Sequence, residues 1–170
     1  RLLEPPALEP DPDKTIEENR PEQEAAFAEF LAGPSIGDCI EDCKSALRFI
    51  RTHAEELGID TKSITVLGDS SGGHLACCLA TIKGLDAASD DQTVSSLPDT
   101  VVACNPITDM TSGNWLTFVK PGPGQRARAE AVSPVFHAHN ATVPFLVMHG
   151  GRDHVVPLQM AQAFHQALVR

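Results

Sequence analysis

The chain has 170 residues, a formal net charge of −10 and an apolar fraction of 42%. That length suffices for one domain with its own core, and no run of about 18 apolar residues offers a membrane-crossing helix. The acidity excludes the basic footprint of a nucleic-acid binder, and it is uneven: residues 1–30 hold nine Asp/Glu against three Lys/Arg, which is −6 of the −10.

Residues 1–35 also carry six of the thirteen prolines. Proline removes backbone donors and breaks helices, so this stretch reads as an acidic, Pro-rich connection, with one short helix expected from Pro21 to Leu31. Residues 36–170 form the domain body. From Asp38 to Leu57 the residues Ile40, Cys43, Ala46 or Leu47, Ile50, Ala54 and Leu57 recur at three- and four-residue steps. That spacing predicts an amphipathic helix capped by Asp38 and ended by Gly58. Ser63 to Leu67 is a short β-branched run and predicts a buried strand.

Gly68-Asp-Ser-Ser-Gly-Gly-His74 follows at once, and then Leu75 to Ile82, apolar on nearly every side and therefore a buried helix. Residues 84–99 read as a polar loop, Val101 to Cys104 as a strand, and 112–128, rich in Gly and Pro and holding Trp115, as a loop. Phe145 to Met148 predicts another strand, and Leu158 to Val169 a closing helix. Short apolar strands alternating with helices place the chain in the α/β class, with a parallel sheet covered on both faces.

The five cysteines, Cys39, Cys43, Cys77, Cys78 and Cys104, contain no C-x-x-C pair, so no metal site is expected and free buried thiols are. An odd set of thiols slightly favours a reducing, cytoplasmic setting, although the chain starts at Arg1 and not at Met, which leaves room for a signal peptide upstream.

The most specific feature is Gly68-x-Ser70-x-Gly72 between a predicted strand and a predicted helix. A serine on a sharp strand-to-helix turn is held in a strained backbone conformation, and glycines two residues to either side remove the Cβ atoms that would collide there. Its hydroxyl then stands at a helix N-terminus, where orphan N–H groups favour developing negative charge. Ser70 is the expected nucleophile, and the backbone N–H of Ser71 an expected oxyanion donor. Asp69 is expected to be structural. A P-loop lysine and a G-x-G-x-x-G are both absent, which argues against a phosphate cradle.

In nucleophile-elbow hydrolases an acid and then a histidine follow the serine. Asp153, in the loop after the strand Phe145 to Met148, is the expected acid, able to orient an imidazole; Asp109 competes less well. His154 adjoins the acid and would need an unusual turn to reach Ser70. His165 sits in the terminal helix pattern, and His74 is expected to be a satisfied structural histidine. No base is convincing.

Taken together, the chain resembles the α/β-hydrolase-fold esterases, within them the acetyl-esterase, feruloyl-esterase-like and hormone-sensitive-lipase-like groups. The motifs that carry the resemblance are Gly68 to His74, Gly58-Ile-Asp60, Asn105-Pro-Ile-Thr-Asp109, His149-Gly-Gly-Arg-Asp153-His-Val-Val-Pro157 and the opening Arg1-Leu2. The resemblance implies an α/β-hydrolase, mostly parallel sheet with helices on both faces, incomplete at both ends. It implies a carboxylic ester hydrolase working through an acyl-enzyme on short acyl esters such as acetylated carbohydrate, with no cofactor and a small-molecule ester as its partner. The family's His-Gly-Gly oxyanion loop is expected before Arg1 and its histidine beyond Arg170, so an internal fragment that is nearly inactive is expected. A prolyl-oligopeptidase-type peptidase or an arylformamidase shares the fold, but Ser71 stands where many such peptidases carry an aromatic residue. A noncatalytic binding protein is the third reading.

Overall fold

The computed structural model describes residues 32–170. The helix expected from Pro21 to Leu31, and nearly all of the acidic connection, lie outside the described residues. Helix α1, Ile36–Thr52, begins two residues before the expected cap. Ser35 is the N-cap: its hydroxyl accepts from the Asp38 N–H at 3.2 Å, and the Asp38 carboxylate accepts from the Ser35 N–H at 2.6 Å. Asp38 is thus the reciprocal member of a capping box, inside the helix and not at its cap. The single helix expected to run to Leu57 breaks at His53, and α2, Ala54–Leu57, follows as a separate turn. Gly58 ends it in the left-handed conformation (φ 66°), as its position predicts.

Strand β1, Thr65–Asp69, lies two residues later than expected. Ile64 and Asp99 hold each other through two hydrogen bonds, Asp99 N–H to the Ile64 carbonyl (2.8 Å) and Ile64 N–H to the Asp99 carboxylate (2.9 Å). The parallel ladder then runs from Thr65 opposite Thr100 to Asp69 opposite Cys104, so Gly68 and Asp69 belong to the strand and not to the turn. Helix α3, Ser71–Thr81, starts four residues earlier than the apolar run that announces it, because its first turn is Ser-Gly-Gly-His. Strand β2 is Thr100–Cys104 and strand β3 Phe145–Met148, and the sheet order is β1-β2-β3, all parallel.

Residues 84–99 hold no helix or strand, as expected. Basic side chains of α1 pin this loop: Arg48 bonds Asp86 (2.6 Å), Asp90 (3.0 Å) and the Val94 carbonyl (3.0 Å), and Lys44 reaches the Gly84 carbonyl. The segment 112–128 differs from the expected loop, since it forms a 3-10 turn, Gly113–Phe118, and most of helix α4, Gln125–Ala131. Helix α5, Pro134–His137, a 3-10 turn, Ala138–Asn140, and the closing helix α6, Leu158–Leu168, complete the described residues.

Along parallel strands alternate side chains face opposite sides. On one side Val66, Val101, Ala103, Phe145 and Val147 pack with Ala76, Cys77 and Ala80 of α3 and with Phe164 of α6. The other side carries Leu67, Leu146 and Met148 at 72%, 53% and 45% exposure. The α/β parallel architecture is as expected, and the described residues, which make up part of that fold, cover one face of the three strands. A second core, built on Ile36, Ile40, Cys78, Ile107, Met110 and Met160, lies where α1, α3 and the 105–132 region meet.

Candidate active site

Ser70 stands between β1 and α3 with φ 54° and ψ −116°, in the positive-φ region that L residues rarely adopt. The fold holds it there from both sides. Its N–H donates to the Cys104 carbonyl at the end of β2 (2.9 Å), and its own carbonyl accepts the His74 N–H (3.0 Å). A Cβ on Gly68 would run into the Gly72 carbonyl, so Gly68 is sterically required. A Cβ on Gly72 would meet nothing within 4 Å, while one on Gly73 would lie 2.9 Å from the Cys104 carbonyl and 3.2 Å from Pro106 Cα. The second sterically required glycine is therefore Gly73, which lets α3 approach β2, and not the motif's own Gly72.

Ser71 is the first residue of α3, where backbone N–H groups have no partner one turn earlier. Ser70 and Ser71 open onto a cavity of about 790 Å³ walled by Trp115, Phe118, Met110 and Val155, among others. The Trp115 and Phe118 rings stack with centroids 5.9 Å apart. The apolar wall thus stands beside the two serine hydroxyls. The 3-10 turn that supplies this wall arises from the segment whose composition predicts only a loop.

His74 also borders the cavity but is only 2% exposed. Its Nδ1–H donates to the Ile107 carbonyl (2.8 Å), Nε2 faces Cys78 Sγ (3.4 Å), and burial lowers its pKa to about 4. It is a satisfied neutral imidazole, as its helix position predicts.

Asp153 sits in the loop after β3. One of its carboxylate oxygens accepts the N–H groups of Val155 (2.8 Å) and Val156 (2.9 Å). The Val156 and Val155 bonds, in that order, hold its pKa below the usual carboxylate range, with His149 and His154 adding to the effect. Its neighbours His154 and Val155 line the Ser70 cavity, so the Asp153 loop borders Ser70 although Asp153 itself does not wall the cavity. The competing acid, Asp109, is occupied by the N–H and hydroxyl of Thr111, at 2.8 and 2.6 Å. His165 is exposed on α6.

Two residues of the quoted motifs have roles that sequence reasoning does not assign. The His149 side chain is 3% exposed; its Nε2–H donates to the Val156 carbonyl (2.8 Å) and lies 3.7 Å from the second carboxylate oxygen of Asp153, bracing the Asp153 loop. Its four-residue spacing from Asp153 was the available signal. Asn105 follows β2 with φ 43°. Its amide donates to Asp69 and its side-chain oxygen accepts the Gly150 N–H, both at 3.1 Å. Asparagine is a residue type that tolerates such a conformation, but a following proline favours extended backbone instead, and its partners are distant in sequence.

Among the described residues no group of three or more His, Cys, Asp or Glu could hold a metal ion, all five cysteines are free, and no helix is long and apolar enough to cross a membrane.

A parallel strand leading into a strained serine, a helix behind it, and an aspartate after a later strand define the α/β-hydrolase class. The BD-FAE family model matches residues 34–168, and the chain belongs to that family of α/β-hydrolase esterases. It is 32% identical over 147 residues to the esterase LipQ of Mycobacterium tuberculosis, covering 76% of this chain and 34% of that protein. The esterase LipC of the same organism is 31% identical, with 76% and 36% covered. Among solved structures it resembles Thermogutta terrifontis esterase 2, at TM-score 0.69 and 32% identity for the form phosphoramylated by tabun, covering 79% of this chain and 49% of that one. The propionate-bound form of that esterase gives TM-score 0.68 at 33% identity, with 80% and 51% covered. The chain thus spans about a third of the curated relatives and about half of the solved esterase.

Proposed function

We propose that this chain carries the nucleophile and the acid of a carboxylic ester hydrolase. Ser70 attacks the acyl carbon, the Ser71 N–H donates to the oxyanion, Asp153 orients a histidine, and water resolves the acyl-enzyme. The observation that carries the reading is the strained Ser70, which lines the cavity at φ 54° with its N–H on the Cys104 carbonyl. Backbone strain of this kind is retained where the surrounding structure enforces it, and it clusters at active sites. The esterase names of the relatives support the same chemistry. Thermogutta esterase 2 bound to propionate and to butyrate supports short acyl esters, and acetylated carbohydrate is the substrate class we propose among them. No histidine of the described residues hydrogen-bonds the Ser70 hydroxyl: His74, His137 and His149 each bond a backbone carbonyl through one ring nitrogen, and His154 borders the cavity. Turnover by residues 1–170 alone is therefore expected to be low.

Hydrolysis of p-nitrophenyl acetate and labelling by a fluorophosphonate, both on the intact protein, test the proposal. Ser70→Ala should lower kcat by about a thousandfold or more and abolish the adduct. Wild-type turnover in Ser70→Ala would overturn the assignment. A wild-type protein that binds ester but forms no Ser70 adduct would favour the noncatalytic reading instead.

A further inference from the structure

The proposed nucleophile and acid lie on loops after the two outer strands, β1 and β3, and neither loop bonds the other directly. What joins them is the end of the central strand. At Cys104 the backbone carbonyl accepts the Ser70 N–H (2.9 Å). At the next residue, Asn105, the side-chain amide donates to the carboxylate of Asp69, adjacent to Ser70, and its oxygen accepts the N–H of Gly150, three residues before Asp153. The Asn105 N–H is fixed as well, on the Met148 carbonyl at the end of β3 (2.8 Å).

We infer that Asn105 is a positioning residue, a two-headed clamp that sets the distance between the Ser70 turn and the Asp153 loop; this rests on the hydrolase reading above. Three features make the clamp specific. The backbone is held at φ 43°, which asparagine tolerates better than other residues bearing a Cβ. One end of the amide must donate and the other accept, so only a planar group carrying both satisfies a carboxylate and an N–H together. The following Pro106 is fully buried, so the side chain is launched from a rigid base. Catalytic geometry is sensitive to displacements of about 1 Å, and such errors can cost about a hundredfold in rate. Asn105 touches no reacting atom; it acts through the two loops.

Three variants of the intact protein test this. Asn105→Gly keeps the positive φ and removes the clamp. It should fold, lower kcat on the order of 10- to 100-fold with KM within about threefold, and speed hydrogen exchange at the Gly150 amide. Asn105→Asp sets two carboxylates against each other and should be at least as damaging. The double variant Asp69→Asn/Asn105→Asp exchanges donor and acceptor, and should recover most of the lost kcat and slow the Gly150 exchange again. Wild-type kcat in Asn105→Gly, or a double variant no better than Asn105→Asp, would overturn the inference. If the wild-type protein forms no Ser70 adduct, the hydrolase reading fails by itself. The clamp then stands or falls on Gly150 exchange, which must rise in Asn105→Gly.

Discussion

Single side chains here are constrained by where their polar atoms can go. His74 illustrates the energetic consequence. Sealed in the first turn of α3 with Ile107 and Cys78 as its partners, it must stay neutral in the folded protein, and burial brings its pKa from 6.5 to about 4. The unfolded chain therefore takes up a proton near pH 6.5 that the folded chain refuses until about pH 4. Stability from this group is complete above about pH 6.5 and is lost progressively as pH falls toward 4. The loss should be on the order of 2–3 kcal/mol between pH 7.5 and 4.5. Urea unfolding at the two pH values measures it, and His74→Gln should shrink the difference; an undiminished difference would place the titration elsewhere. Asp153 follows the depressed-carboxylate case: its two N–H bonds support its own loop at neutral pH, and that support is lost as pH falls through its lowered pKa.

Among the elements, α1 shows what a pattern can and cannot locate. Its apolar stripe is visible in the spacing of Ile40 and Leu47, but its start depends on which of two capping residues occupies the non-helical position. Ser35 does, with Asp38 answering from the third helical position. Ser35→Ala should cost about 1 kcal/mol, read as a lower urea midpoint with an unchanged slope. No measurable change would mean that the box is frayed in solution. Helix α4 was illegible for the opposite reason: in Gln-Arg-Ala-Arg-Ala-Glu-Ala only Ala129 is buried, so no apolar stripe marks it. Strand β1 was displaced because Gly68 and Asp69, turn residues by type, are kept in the ladder by pairing with Ala103 and Cys104.

Over the molecule as a whole, the described residues pack on one side of the sheet. Phe164 of α6 is fully buried and meets the Phe145 ring edge-on with centroids 5.6 Å apart, while Leu146, one residue further along β3, is half exposed on the other side. Phe164→Ala should cost about 3–5 kcal/mol, whereas Leu146→Ala should stay within about 1 kcal/mol. Comparable losses, measured by chemical unfolding, would contradict the one-sided packing.

The sequence by itself determined the local features whose physics is local: the strand-to-helix junction at Ser70, the apolar runs of β2 and β3, and the stripe of α6. Each depends on residues within a few positions of one another. Only the tertiary structure decided that Gly73 and not Gly72 is sterically required, that Trp115 and Phe118 wall the serine cavity, and that Asn105 joins Asp69 to Gly150. Those contacts link positions more than thirty residues apart, brought together by the parallel ladder, and no periodicity along the chain encodes which strand ends will meet.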